Sequence, residues 1–199
     1  MQERSRKEKN ILYIVVPCYN EEQVLAETSK RLKEKCEMLI HDGKIAKESR
    51  IVFVDDGSKD HTWNMIDEFH KMDSIFSGVK LSRNRGHQNA LLAGLTMASE
   101  KADIVISMDA DLQDDINAVD QMIEKYYEGC DIVYGVRSAR DTDTFFKRFT
   151  AEAFYKLINK FTEVEIVDGA RDFRLMTREV VDSVLSLQEY HRFSKGIFA

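Results

Sequence analysis

Two aspartates separated by one residue, Asp109 and Asp111, directly follow a short apolar segment. Carboxylates this close repel each other, which raises the pKa of one of them unless a cation lies between them. Mg²⁺ and Mn²⁺ prefer such oxygen ligands, and Mg²⁺ is usually held by one or two carboxylates together with substrate phosphates. The pair therefore predicts a metal site, to which Gln113 would add an oxygen. Turn formation or helix capping is the alternative for so short a motif, although Asp114 and Asp115 are better placed to cap the next helix.

A second acidic pair, Asp55 and Asp56, follows another apolar segment and precedes Gly57 and Ser58. A carboxylate does not bind phosphate directly, but it accepts hydrogen bonds from ribose hydroxyls and base N–H groups. Acidic residues at strand ends have this role in dinucleotide-binding folds. The pair therefore predicts contact with a nucleotide. Capping of the following helix would explain Ser58 or Asp60, but it would not also explain the pair Asp55 and Asp56.

The only proline, Pro17, fixes φ at the end of the first apolar segment, just ahead of Tyr19, Asn20 and Glu21. Tyr19 is suited to stacking on a nucleobase, and Glu21 to binding ribose or capping a helix. Asn20 as the N-cap of the long helix that follows is the alternative use of this segment.

Three further groups of residues are suited to binding anions or moving protons. Asn84, Gly86 and His87 stand at the start of a predicted helix, where free N–H groups favour anions, although a simple turn explains them equally well. Arg137 begins a cationic run that suits phosphate binding or forms a solvated basic face. Asp172 lies among arginines that would lower its pKa and orient it, so it is a candidate general base, with a structural ion pair as the alternative.

The elements that must position these residues alternate between short apolar segments and longer helix-prone ones. Strands are predicted over 11–16, 50–54, 77–81, 103–108, 131–136 and 172–176, and helices over 21–39, 60–72, 87–99, 116–127, 144–161 and 178–187. This alternation predicts an α/β fold with a mostly parallel central sheet flanked by helices. Ligands of such sheets bind beyond the carboxyl ends of the strands, where these polar motifs stand.

Composition narrows the classes of function. The chain has 199 residues and a net charge of −6, which argues against a nucleic-acid partner. Its three cysteines form no CxxC pair, so neither a zinc site nor a disulfide framework is expected. The sequence predicts a charged tail over 1–10 and one domain over 11–199. It carries no signal for or against a homo-oligomer.

No segment reaches the roughly 18 apolar residues of a membrane span. The chain nevertheless stops on an apolar segment, 196–199, and we expect it to be truncated. The aromatic and basic segment 144–161 predicts either a helix that lies on an anionic membrane or an ordinary core helix.

Taken in order, the motifs PCYNE, VDDGS, NRGHQNA, DADLQDD, GVR and RDFRLM resemble glycosyltransferase family 2, whose members have the GT-A fold. They cover nearly the whole chain. DADLQDD and DFRLM are most similar to the polyprenyl-phosphate branch, which includes dolichol-phosphate mannosyltransferase and bacterial undecaprenyl-phosphate glucosyltransferases. The resemblance implies a metal-dependent hexosyltransferase that uses Mg²⁺ or Mn²⁺. It also implies a nucleotide-diphosphate sugar donor, and a lipid-phosphate or glycan acceptor.

The resemblance also implies roles for particular residues. Residues 11–136 would bind the nucleotide sugar, and 137–199 would form the acceptor side. Asp109, Asp111 and Gln113 would hold the metal, and Asp172 and Asp111 would be catalytic. The predicted contacts to the nucleotide sugar are Pro17, Tyr19, Glu21, Val54, Asp55, Asp56, Asn84, Gly86, His87, Asp109, Ala110, Asp111 and Arg137. Because the family commonly continues into C-terminal membrane helices, we expect the full-length protein to act at the cytoplasmic face of the cell membrane.

The sequence leaves two questions open, namely which chemical group accepts the sugar and whether the chain belongs to another class of protein. Backside attack of the acceptor on the anomeric carbon implies inversion, whether the acceptor is a polyprenyl phosphate or a sugar hydroxyl of a cell-surface polysaccharide. A phosphatase of the haloacid dehalogenase type also has a DxD motif, but on its first strand, whereas here the motif follows the fourth. A receiver-like module or a nucleotide-binding scaffold without catalysis is the remaining alternative.

Overall fold

The computed structural model describes residues 6, 9–111, 113–136 and 170–187, and the structural statements below concern these residues. The predicted helix over 144–161, Arg137 with its predicted phosphate contact, and the rest of its cationic run lie outside them. No helix within the described ranges combines the length and the apolar composition that a membrane span needs.

Strands and helices alternate along the chain as predicted. The strands are β1 (Leu12–Cys18), β2 (Arg50–Asp55), β3 (Phe76–Lys80), β4 (Ile104–Ser107), β5 (Ile132–Val136) and β6 (Ala170–Thr177). The helices are α1 (Leu25–His41), α2 (Thr62–Met72), α3 (His87–Ser99), α4 (Ala118–Tyr127) and α5 (Arg178–Ser186). Helices α1, α2 and α4 each begin a few residues later than predicted, because the residues ahead of them form the turns at the sheet edge.

The six strands form one sheet in the order β3-β2-β1-β4-β6-β5. Strands β3, β2, β1 and β4 are parallel, whereas β6 runs antiparallel to both β4 and β5. The prediction of a mostly parallel α/β sheet is therefore confirmed. The reversed direction of β6 has a consequence for function, because the beginning of β6 lies at the same edge as the ends of the other strands. Asp172, near that beginning, thus joins the edge that carries the other polar motifs.

Apolar side chains of successive strand residues are buried on opposite faces of the sheet. Leu12, Ile14 and Val16 belong to the core that α1, α2 and α4 cover, while Tyr13 and Val15 belong to the core beneath α3 and α5. Strands that are buried on both faces read as the unbroken apolar segments seen in the sequence.

Helix α3 packs closely on the sheet through its small residues. A Cβ added to Gly94 would lie 2.3 Å from Cγ1 of Val15 and 2.9 Å from Cγ2 of Val54. Ala90, Leu91 and Gly94 of this helix are buried. This packing brings the N-terminus of α3, with His87, over the sheet near the site edge.

Candidate functional site

The turns after β1 and β2 are tied together by hydrogen bonds. Asn20 has a left-handed backbone with φ 58°, its N–H donates to Oγ of Ser58 (2.9 Å), and its Oδ1 accepts from the N–H of Lys59 (2.9 Å). Helix α1 instead begins after Val24, which makes no side-chain cap. The capping alternative for Asn20 is therefore wrong, and the hydroxyl of Ser58 serves this tie between the turns.

Asp60 and Thr62 extend the same tie toward Glu21. The N–H of Glu21 donates to Oγ1 of Thr62 (2.8 Å), and Asp60 accepts from the N–H groups of Glu22 (3.2 Å) and Thr62 (3.0 Å). Asp60 thus binds the first residue of α2, close to the capping role predicted for it. The tied turns present Tyr19, whose exposed fraction is 40%, and the partly buried Glu21 at the sheet edge.

The acidic pair after β2, Asp55 and Asp56, is buried, and its carboxylates are hydrogen-bonded to backbone N–H groups. Asp55 and Asp56 are exposed by only 0% and 3%. Oδ1 of Asp55 accepts from the N–H of Ser58 (3.1 Å), and the two carboxylate oxygens of Asp56 accept from the N–H groups of Arg85 (2.6 Å) and Gly86 (2.9 Å). These bonds fasten the loop ahead of α3 to the end of β2. Direct contact of either aspartate with a nucleotide stays a prediction.

The acidic pair after β4, Asp109 and Asp111, faces outward. Asp111 is exposed and the Asp109 side chain is 41% exposed, whereas Ala110 between them is buried. The Ala110 carbonyl accepts from the hydroxyl of Thr28 on α1 (2.7 Å). Oδ1 of Asp111 accepts from the N–H of Gln113 (3.0 Å), so this carboxylate also helps form its own turn.

Carboxylates from three loops influence one another's charge at this edge of the sheet. The pKa of Glu21 is raised, first by burial and then by the negative charges of Asp111, Asp60 and Asp109. Carboxylate oxygens suit a hard divalent cation, so the donor set fits Mg²⁺ or Mn²⁺. Within the described residues, no three His, Cys, Asp or Glu side chains are arranged to hold a metal by themselves. Such a cation would therefore complete its coordination with oxygens from elsewhere, as Mg²⁺ does with substrate phosphates.

A cationic pair holds Asp172 beside this acidic cluster. Nε2 of His87 lies 3.0 Å from Oδ2 of Asp172 and 3.9 Å from Oδ1 of Asp109, and the buried guanidinium of Arg174 bonds Oδ1 of Asp172. The hydroxyl of Ser107 donates to the Asp172 carbonyl. The ion pair that the sequence left as an alternative is thus present.

The charges and hydrogen bonds among His87, Asp172 and Arg174 shift the pKa values of Asp172 and His87. Burial opposes ionisation of Asp172, but the hydrogen bond from His87 and the charge of Arg174 outweigh it and lower the pKa of Asp172. The hydrogen bond to Asp172 in turn raises the pKa of His87, against the effect of burial. Asp172 is therefore held as a carboxylate between the Arg174 guanidinium and the His87 ring, and its charge favours the protonated form of that ring.

The other predicted residues lie around the same edge. Pro17 and Val54 are buried and opposite each other in β1 and β2, so they support the edge from within. Asn84 is exposed, and its Oδ1 accepts from the N–H of Gly86 (3.1 Å). Gly86 has φ +87°, and a Cβ there would meet nothing within 4 Å, so the loop borders open space. The sequence reasoning missed the site roles of Asp60 and Thr28, since each depends on contacts between distant segments.

Comparison with known sequences identifies relatives of this chain. The sequence model of glycosyl transferase family 2 matches residues 13–185. The uncharacterized glycosyltransferase YkoT of Bacillus subtilis is 48% identical over 192 residues, which is 96% of this chain and 57% of YkoT. The bactoprenol glucosyl transferase of Shigella phage SfV is 42% identical over 186 residues, which is 94% of this chain and 58% of that protein. The chain thus spans little more than half the length of these relatives.

Solved structures share the fold at low sequence identity. The mannosyltransferase PcManGT from Pyrobaculum calidifontis, in complex with GDP-Man and Mn²⁺, superposes with a TM-score of 0.57 at 19% identity, covering 89% of this chain and 47% of that chain. The mannosyl-3-phosphoglycerate synthase from Rubrobacter xylanophilus gives 0.61 at 17% identity, covering 87% and 56%. These likenesses confirm the predicted GT-A fold.

Proposed function

The chain belongs to glycosyl transferase family 2, and on this premise we propose that it transfers a sugar from a nucleotide-sugar donor to a polyprenyl phosphate, with a divalent metal and with inversion. One observation carries the proposal. At the carboxyl edge of the sheet, the charges of the outward-facing Asp109 and Asp111 raise the pKa of Glu21, and Asp109 lies 3.9 Å from His87, which in turn bonds Asp172. The residues proposed to bind the donor thus lie next to Asp172, the candidate residue on the acceptor side. The phosphatase and receiver alternatives do not agree with the family.

The donor half rests on side chains that reach the surface of the edge. Tyr19 is exposed and available to stack on a base, and Glu21 is placed to accept from ribose hydroxyls. Asp109 and Asp111, with Gln113, would hold Mg²⁺ or Mn²⁺. A cation bound there would neutralise the diphosphate and stabilise it as a leaving group.

The acceptor half favours an anionic nucleophile. An effective general base has a pKa near the working pH, so that it accepts a proton readily. The pKa of Asp172 is instead lowered by His87 and Arg174 despite its burial. A phosphate oxygen is already anionic near neutral pH and needs little deprotonation, whereas a sugar hydroxyl needs a true base. Asp172 then orients the acceptor, or it orients His87 and Arg174. The name of the phage relative, a bactoprenol glucosyl transferase, supports a lipid phosphate as the acceptor.

A lipid acceptor also implies a place for the reaction. Polyprenyl chains reside in membranes, so we propose that the protein works at the cytoplasmic face of the cell membrane, where nucleotide sugars are made. Arg137 would help bind the donor phosphate, and the segment 144–161 would contribute to the acceptor side.

The test is a two-stage assay of the full-length protein in detergent or bilayers. The first stage measures thermal stabilisation by UDP-, GDP- and dTDP-sugars with and without Mn²⁺, which identifies the donor. The second stage offers that donor with undecaprenyl phosphate and, separately, with a polysaccharide hydroxyl acceptor. We expect metal-dependent transfer to the lipid phosphate. Transfer only to the hydroxyl acceptor, or transfer that chelation of the metal does not reduce, would contradict the proposal.

A further inference from the structure

Helix α1 holds the loop between β4 and α4 at both of its ends. Thr28 and Lys35 are two turns apart on one face of α1, and both side chains are buried. The Thr28 hydroxyl donates to the Ala110 carbonyl (2.7 Å). Nζ of Lys35 donates to Oδ1 of Asn117 (3.3 Å) and to Oδ2 of Asp120 (2.7 Å). One rigid helix therefore sets where this loop begins and where it ends.

The bond from Thr28 differs from the usual bond of a helical threonine. A threonine inside a helix commonly donates its hydroxyl to the carbonyl four residues earlier, and Oγ1 of Thr28 does lie 3.0 Å from the Val24 carbonyl. That carbonyl already accepts the helical N–H of Thr28 at 3.0 Å. A hydroxyl has one proton to donate, and its shorter contact is to Ala110. The side chain thus ties α1 to the acidic loop.

Ala110 is the residue whose orientation decides where the two carboxylates point. It lies between Asp109 and Asp111, its side chain is buried, and its carbonyl is the atom that Thr28 binds. Fixing that carbonyl fixes the peptide plane that joins Ala110 to Asp111 and restrains rotation of the one before it. The outward direction of both carboxylates depends on these planes.

We propose that Thr28 is a positioning residue for the metal and diphosphate site, acting through the Ala110 carbonyl on Asp109 and Asp111. The inference rests on the proposed function of those two aspartates. Thr28 itself is fully buried and would act only through this hydrogen bond. Lys35 provides the matched comparison, because it restrains the same loop at its far end, next to α4.

The test compares Thr28→Val, which keeps the shape and removes the hydroxyl, with Thr28→Ser, which keeps the hydroxyl, and with Lys35→Met. In the metal-free protein, we expect Thr28→Val to speed hydrogen exchange of the Gln113 amide, which donates to Asp111, by about tenfold, the equivalent of one lost hydrogen bond. Thr28→Ser should remain within about twofold of the unchanged protein at this amide. Lys35→Met should lower the melting temperature but leave exchange at this amide unchanged.

A second readout uses Mn²⁺ with UDP, GDP or dTDP, whichever the unchanged protein binds. Thr28→Val should weaken this binding by about tenfold, with a larger effect on KM for the donor than on kcat, and Thr28→Ser should restore it. If Thr28→Val does not fold, Thr28→Ala replaces it in both measurements. Unchanged exchange in the valine or alanine variant, or equal weakening of binding by Lys35→Met, overturns the positioning role. Faster exchange without metal binding by the unchanged protein instead overturns the proposed function and leaves the restraint on the loop intact.

Discussion

The two acidic pairs at the sheet edge look alike in sequence and differ in the folded chain. Asp55 and Asp56 are buried, and their oxygens accept from backbone N–H groups of the surrounding loops. Asp109 and Asp111 face outward, and their charges reach Glu21 on a neighbouring loop. The first pair therefore holds loops in place, and the second is available to a ligand.

Spacing explains much of this difference. Asp55 and Asp56 are adjacent and precede Gly57, which has φ +71° and turns the chain back on itself. The turn brings N–H groups toward the carboxylates. Asp109 and Asp111 are separated by Ala110, which points inward and is held by Thr28, so both aspartates lie on the outer side of the loop. A buried small residue between two carboxylates thus turns both of them toward solvent in this molecule.

The largest effect that the comparison predicts is on activity. Asp109→Asn or Asp111→Asn should reduce sugar transfer on the order of a thousandfold, since a metal bound through a carboxylate stabilises the leaving group by several kcal/mol. The free energy of unfolding should fall little or even rise, because the change removes repulsion near Glu21. Initial rates with saturating donor and Mn²⁺, beside urea unfolding curves, measure both. A variant that keeps full activity would show that the outward-facing pair is not the metal site.

The next largest predicted effect is on stability and concerns Gly57, in the turn that follows the buried pair Asp55 and Asp56. Gly57→Ala should cost about 2–4 kcal/mol of unfolding free energy, because it puts a side chain at positive φ and a Cβ only 2.5 Å from the Arg83 carbonyl carbon. Gly86→Ala is the matched control, since Gly86 also has positive φ but open space around it, and about 1 kcal/mol is expected. Equal losses in the two variants would mean that the turns do not pack as closely as the structure shows.

Asp56→Asn tests the same pair at its carboxylate. The amide keeps one acceptor and turns a donor toward an N–H group, so one of the bonds to Arg85 and Gly86 is lost inside the protein. We expect a loss of about 1–3 kcal/mol in unfolding free energy, with a drop in transfer that follows from the released loop ahead of α3. Stability and activity should therefore fall together, in contrast to Asp111→Asn. A drop in donor affinity without any loss of stability would instead indicate direct contact with the nucleotide.

The sequence predicts some parts of this molecule better than others. Apolar segments and helical patterns are local, so the strands and helices lie close to their predicted bounds, and the rule for parallel sheets places the polar motifs at one edge. The antiparallel direction of β6, the burial of Asp55 and Asp56 and the bond from Thr28 to Ala110 are set by contacts between residues far apart in the chain. Asp172 illustrates both cases. Its pairing with an arginine was readable from sequence spacing, but its contact with His87 was not.

The smallest predicted effect extends the comparison to a third carboxylate, Asp120, which is held by side chains instead of backbone. Burial opposes its ionisation, but hydrogen bonds from Lys35 and Lys44 outweigh it and lower the pKa of Asp120. A carboxyl with a lowered pKa stabilises the fold at any pH above its unfolded value, roughly 3.9, and this contribution is lost as the pH falls through the lower folded value. Asp120→Asn should therefore cost up to about 1 kcal/mol at neutral pH. Urea unfolding from pH 7 to pH 3 should show the gap between the two proteins staying constant down to about pH 5 and narrowing below pH 4. A gap that widens in acid would mean that the lysines do not hold this carboxylate in its ionised form.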